Sequence, residues 1–268
     1  MIALKHVYSL RLFLAVVLFS SRAFSEDIRV ACPYVGFLTN KTIDAKNHLN
    51  LKDGALMEGV FFQWINPEKY QWNVFIYGSK DINYSDIWGG NAIADYYMKI
   101  NDHSKWVLGA GTEYMLISMG AGPKLGLDNL EMSNNVLAPY LRFGWQRKIS
   151  TGKNSVSVFP WAGIEYEKVF GTITVDPPGP FPPPIKSDIK DAHTYAMTGL
   201  TLKLSAMHIF DVDAKYYAAY NAHNLYNVAS GNVNAFLTRH LALSYRLKYM
   251  ETSEGWDLYN MAGIAFVF

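Results

Sequence analysis

Beyond residue 26, apolar and polar residues alternate with period two in runs of roughly ten, which is the spacing of strands and not of helices. The clearest run is 241–250. Leu241, Leu243, Tyr245, Leu247 and Tyr249 point one way, and Ala242, Ser244, Arg246 and Lys248 point the other. The same scheme recurs at 106–118, 136–149, 155–168, 192–206 and 211–223. Weaker strands are predicted at 28–38, 54–65, 70–79, 91–101, 232–238 and 256–268. In 54–65, Glu58 shares the parity of Val60, Phe62 and Trp64, so a bulge is expected there.

In a soluble sheet, such apolar faces would need a second protein layer. Lipid can take its place around a sheet closed on itself. The expected fold is therefore all-β: a closed antiparallel transmembrane up-and-down β-barrel of about twelve strands. Connections support the count. Short polar turns are predicted at 66–69, 101–105, 150–154, 207–210 and 238–240, and longer links at 39–53, 80–90, 119–134, 170–191, 223–231 and 251–255. They alternate strictly, as short periplasmic turns and longer extracellular loops do, and an even strand number puts both termini on the periplasmic side. The link 170–191 holds Pro177-Pro178-Gly179-Pro180-Phe181-Pro182-Pro183-Pro184 and is expected to be an extracellular loop, since proline cannot donate to a ladder.

The N-terminus changes the picture from a sheet to an exported sheet. Lys5 and Arg11 precede the apolar run Leu12–Phe19, too short to span a bilayer as a helix, and Ala23-Phe24-Ser25 offers small residues before a cut. Residues 1–25 read as a cleaved secretory signal peptide and 26–268 as a single barrel domain. Cys32 is the one cysteine, so no intrachain disulfide can form, and Arg29 stands where a lipidated cysteine has an apolar residue.

Composition agrees. Aromatic residues make up 15% and charged residues only 18%, against about 25% in globular domains. The net charge of +1 and the lack of a basic stripe give no reason to expect nucleic acid as a partner. With apolar faces on lipid, the lumen would carry Arg29, Lys99, Arg142, Lys148, Lys203, Lys215, Arg246 and Lys248 against Glu58, Asp95, Glu113, Glu165, Glu167, Asp211, Asp213 and Asp257. Of these, Arg142, Glu165, Glu167, Lys203, Lys215, Arg246 and Lys248 are the candidate lumen-lining residues of a narrow pore, the alternative being a paired, closed interior. Trp106, Trp145 and Trp256 are candidates for the membrane-interface aromatics. Tyr77, Tyr97, Tyr140, Trp161, Tyr195 and Tyr217 are expected to point inward, as filling or as a surface for sugars.

The last strand, Trp256-Asp257-Leu258-Tyr259-Asn260-Met261-Ala262-Gly263-Ile264-Ala265-Phe266-Val267-Phe268, ends on an aromatic with Ile264, Phe266 and Phe268 in alternation. It resembles the C-terminal strand of bacterial outer-membrane proteins. That resemblance implies an outer-membrane location in a Gram-negative-type envelope, contact with outer-membrane lipid, and recognition by the barrel-assembly machinery. Similarity to autotransporter-like barrels rests on strand number alone, and no passenger-sized region is expected before the first strand.

Catalytic chemistry has a narrower footing. Asp191-Ala192-His193 places a carboxylate and an imidazole on one strand face, with His223 across the hairpin, and resembles half of the omptin protease site. The acidic half is missing, because Asp211 and Asp213 belong to the opposite end. An outer-membrane phospholipase pattern would need Ser two residues after His, where Tyr195 stands. The histidines are too scattered for a metal cluster, and no cofactor is expected. The chain reads as an outer-membrane barrel that passes or takes up small polar solutes, or else as a closed barrel with a surface-binding role.

Overall fold

The computed structural model describes residues 27–44, 49–82, 85–120, 129–179, 183–207, 209–222, 224–252 and 255–268. The predicted signal peptide and His223 lie outside them. Twelve strands follow one another: β1 (Ile28–Asp44), β2 (Leu49–Asn66), β3 (Tyr70–Ile82), β4 (Ser85–Asn101), β5 (Ser104–Gly120), β6 (Asn129–Thr151), β7 (Asn154–Asp176), β8 (Ile185–Ala206), β9 (Phe210–Tyr220), β10 (Leu225–Thr238), β11 (Leu241–Thr252) and β12 (Gly255–Val267). Each pairs antiparallel with its sequence neighbours, and β1 pairs with β12, so the sheet is a closed barrel. At the seam, Arg29 and Phe268 exchange backbone hydrogen bonds of 3.2 and 2.9 Å.

Both described ends lie beside the short turns. Those turns are closed by side chains that mimic backbone acceptors. Asn66 Oδ1 accepts from the backbone N–H of Glu68 and Lys69, Asn101 Oδ1 from that of His103, and Asn154 Oδ1 from that of Met207, which has φ of 52°.

The outward face is apolar. Leu108, Leu141, Phe143, Ile164, Leu243 and Ile264 all stand exposed on it. Aromatic residues mark two levels of this face. Trp72, Tyr96, Trp106 and Trp145 lie toward the short turns; Trp106 and Trp145 are register partners, and Trp106 stacks on Phe143 at 5.2 Å. Trp88, Tyr114, Tyr220 and Trp256 lie toward the other end, where Trp256 packs beside Tyr249. From Trp88 to Tyr96, or from Trp106 to Tyr114, eight residues at ~3.3 Å each and a ~40° tilt give about 20 Å of height. That approaches the apolar band of outer-membrane barrels, about 25 Å tall.

Three strands run far past this band. β6 and β7 have 23 residues each and β8 has 22, where a bilayer needs about 9–11. Their ends, 129–136, 169–176 and 185–191, form a projecting sheet roughly 20 Å tall. Here the faces invert. Glu131, Ser133, Thr172, Thr174, Lys186, Asp188 and Lys190 point outward, and Leu130, Met132, Val136, Val169, Ile173, Val175 and Ile189 point toward the axis. Phe170, at the base of this sheet, is the apolar exception on its outer face.

Two expectations need correcting. The links at the second end are shorter than expected, because strands occupy much of 39–53, 80–90, 119–134 and 170–191; the proline-rich link is 177–184. The bulge at 54–65 is absent, since β2 holds unbroken register with β1 and, from Met57 to Asn66, with β3. Glu58 points outward and is exposed, while Met57 and Phe61 pack inward with Tyr34, Phe75 and Tyr77. The interior of this wall is itself apolar, so hydrophobicity alone misassigned its faces.

A charge placed in the middle of the band tests the lipid assignment. Leu141→Arg is expected to lower stability by about 2–4 kcal/mol in lipid, and Glu131→Lys on the projecting sheet to change it by no more than ~0.5 kcal/mol. Urea titration of the refolded protein in bilayers measures both.

Candidate functional site

Two apolar clusters line opposite parts of the bore. One joins Cys32, Tyr34, Leu38, Met57, Phe61, Phe75, Tyr77, Tyr259 and Met261; the other joins Tyr97, Val107, Phe159, Trp161, Tyr195, Met197 and Ala219. Between them runs a cavity of about 740 Å³. Its lining starts at the short turns, with Pro67, Glu68, Asp102 and His103, and reaches Tyr77, Glu113, Glu165, Tyr217 and Tyr259 near the level of the second aromatic girdle.

Alternation places the charges here. Arg142 on β6, Glu165 on β7, Lys203 on β8, Lys215 on β9, and Arg246 and Lys248 on β11 all line the cavity. Glu167 shares the inward parity of Glu165 but lies one inward position closer to the projecting sheet, beyond the cavity lining. Lys99, Asp95, Glu113, Lys148, Asp211 and Asp213 also line it. Asp257 points inward and accepts from Asn40 at 2.5 Å. Arg29 and Glu58 do not belong to the lumen, for each has the outward parity of its strand. At the mouth, Lys99 bonds Asp102 at 2.7 Å and holds that exposed carboxyl below its ordinary range.

Most of these charges are paired across strands. Arg142 grips Asp95 from β4 side-on: Nε donates to Oδ1 at 3.2 Å, and Nη2 to Oδ1 and Oδ2 at 2.9 and 2.7 Å. Both side chains are 7% exposed, and the guanidinium also faces the Phe159 and Trp161 rings. The pair fits because Gly109 on β5 has no side chain; a Cβ there would stand 2.4 Å from Asp95 Oδ1 and 2.8 Å from Arg142.

Two further contacts span the bore. Lys203 Nζ donates to Gln71 Oε1 on β3 at 2.8 Å, toward the short turns. Lys248 Nζ donates to Glu113 Oε1 on β5 at 2.8 Å, toward the other end. Glu113 also accepts from Tyr77, and Glu165 accepts from Tyr226. Lys215 and Arg246 stand over aromatic rings instead. Lys215 Nζ is 4.5 Å from the Tyr217 ring centre and 5.1 Å from that of Trp161; the Arg246 guanidinium is 4.3 Å from Phe61 and 4.6 Å from Phe75.

All six tyrosines and tryptophans expected inward do point inward. Phe61, Phe75, Phe159, Tyr34, Tyr226 and Tyr259 were missed among them. Their signal was the partner strand's parity, which a single strand does not carry. Asp191 and His193 form a 2.9 Å pair at the base of the projecting sheet, with the carboxylate 60% exposed. No group of three or more His, Cys, Asp or Glu side chains suited to a metal occurs among the described residues.

Its sequence matches no protein-family model and no curated protein. Solved structures are similar in fold. The translocator domain of the autotransporter NalP from Neisseria meningitidis superposes with a TM-score of 0.53 at 11% identity, covering 98% of this chain and 96% of that one. The transport unit of the autotransporter AIDA-I from Escherichia coli gives 0.51 at 10%, covering 97% and 96%. The KdgM porin gives 0.45 at 9%, covering 89% and 99%. The architecture is that of the bacterial outer-membrane β-barrels.

Removing one partner of the Arg142–Asp95 pair leaves a buried charge, so Arg142→Met or Asp95→Asn is expected to cost about 3–5 kcal/mol. The double variant should recover a large part of that loss. Chemical denaturation of the three proteins measures it, and equal additive losses would show that the two groups act independently.

Proposed function

We propose that this barrel of the bacterial outer membrane is a narrow pore or uptake barrel for small polar solutes. The observation that carries the reading is the cavity of about 740 Å³, which starts at the short turns and reaches the second girdle level with charged groups along its length. A barrel held shut by packing alone would fill that volume with apolar side chains, as the two flanking clusters do. Instead, single long side chains cross it at two levels, Lys203 to Gln71 and Lys248 to Glu113. Such contacts narrow a bore without sealing it. They set a size limit, and their loss widens the path. On this reading, the short turns and both described ends face the periplasm and the projecting sheet faces outward.

A second reading has its own observation. The projecting part of β6–β8 is a water-facing sheet outside the bilayer, tipped by the proline-rich link 177–184, and it offers a surface for a partner. It predicts negligible conductance, and loss of surface binding when 177–184 is replaced by a short glycine-serine turn.

Planar-bilayer recording separates the two. Discrete channels are expected from the refolded protein, with a larger unit conductance in Glu113→Ala and Lys203→Ala. Absence of channels at every salt concentration would sink the pore.

A further inference from the structure

The charged residues expected in the lumen are not all paired with one another once their contacts are drawn. Arg142 is neutralised by Asp95, and Lys248 by Glu113. Lys203 takes Gln71 and stands 3.7 Å from Asp213. Lys215 and Arg246 have no ion pair or hydrogen bond among the described residues, and Arg246 Nη1 is a buried donor with no acceptor.

These two cations share one patch of wall. Lys215 on β9 is the register partner of Ser230 on β10, and Arg246 on β11 is the partner of Asn232, two residues further along β10. All four line the cavity midway between the two bridging contacts. The Asn232 amide lies 3.2 Å from the hydroxyls of Tyr34 and Ser244, and Ser244 gives its one proton to Asn234 Oδ1 at 2.7 Å, so the amide of Asn232 can turn an N–H toward the bore. The patch is therefore made of donors: an ammonium, a guanidinium edge, an amide and a hydroxyl. Its one carboxylate, Asp213, is drawn toward Lys203.

Rings under the two cations offset only part of what their burial costs. A cation–π contact returns only a fraction of what removing an ion from water costs. An anion seated between them would supply the missing acceptors. We propose that Lys215, Arg246 and Asn232 form a binding site for a small oxyanion, a carboxylate or phosphate group, in the middle of the bore. This rests on the pore reading only for the route by which the anion arrives.

Titration calorimetry of the refolded full chain in detergent, with inorganic phosphate and with acetate as probes, tests the site directly. Saturable binding of at least one anion is expected. Lys215→Met and Arg246→Met should each weaken it about tenfold or more, the worth of a hydrogen bond to a charged group. Lys186→Met on the projecting sheet should leave it unchanged. Heat-modifiable migration in gels reports that each variant has closed its barrel. Should a variant fail to close, Asn232→Leu, which keeps both charges, gives the same reading with a smaller loss. Binding of neither anion by the unaltered protein overturns the site, as does binding that Lys215→Met and Arg246→Met leave intact. Conductance is read separately. A protein that binds phosphate but passes no current keeps the site and loses the pore; one that conducts without binding does the reverse.

Discussion

Backbone hydrogen bonding in a medium without water dictates the rest of this molecule. Inside a bilayer every N–H and C=O must find its partner within the protein, and a strand sheet achieves this only by closing. The β1–β12 seam is that closure, and its flaws show how little slack exists. Pro33 has no N–H to give, and the pairing with β12 lapses between Ala31 and Tyr34 while that with β2 runs unbroken. Gly263 lies opposite; a Cβ there would meet the Pro33 carbonyl oxygen at 2.2 Å. Pro139 and Pro160 coincide with similar lapses between β6 and β7. Each costs a local pair and not the barrel, because neighbouring ladder bonds on both sides persist.

Closure sorts side chains by parity, and the sorting creates the interior. Residues that lipid cannot accept are turned toward the bore on alternate positions of every strand. There they crowd, and charges taken from water must be paired. The Arg142–Asp95 grip, the Lys248–Glu113 contact and the Lys203–Gln71 contact are products of this crowding. So is the use of rings as beds for cations: Phe61 and Phe75 under Arg246, and Trp161 and Tyr217 beside Lys215.

Strand number, closure and the facing of the barrel's strong strands were legible in the sequence because lipid outside and charge inside reinforce one another along β5 to β9 and β11. Legibility failed where that contrast weakened. In β2 both faces are largely apolar, so the one charge in 54–65, Glu58, outweighed Gln63 as a marker, yet Glu58 lies outward and Gln63 inward. In the upper parts of β6, β7 and β8 the alternation continues but its sense reverses, since water replaces lipid on the outside; these segments looked like loops. Which charges meet could not be read at all. Lys248 and Glu113 lie 135 residues apart and Lys203 and Gln71 lie 132 apart, joined only by the diameter of the barrel. The outward facing of Trp106, Trp145 and Trp256, by contrast, needed only the parity of their own strands.

The two ends of the barrel are unlike, and the difference gives the bore a direction. At the short-turn end the cavity lining includes the turns themselves, and the Lys203–Gln71 contact crosses the bore between them and the middle of the barrel. At the other end Tyr77, Tyr217, Tyr226 and Tyr259 gather with Glu113, Glu165 and Lys248, and the projecting sheet rises above them with its apolar face toward the axis. From that side the apolar wall comes first, then the tyrosines and carboxylates, and only then Lys215 and Arg246. The two cations therefore lie between unlike approaches, an asymmetry that follows from where lipid stops along β6 to β8.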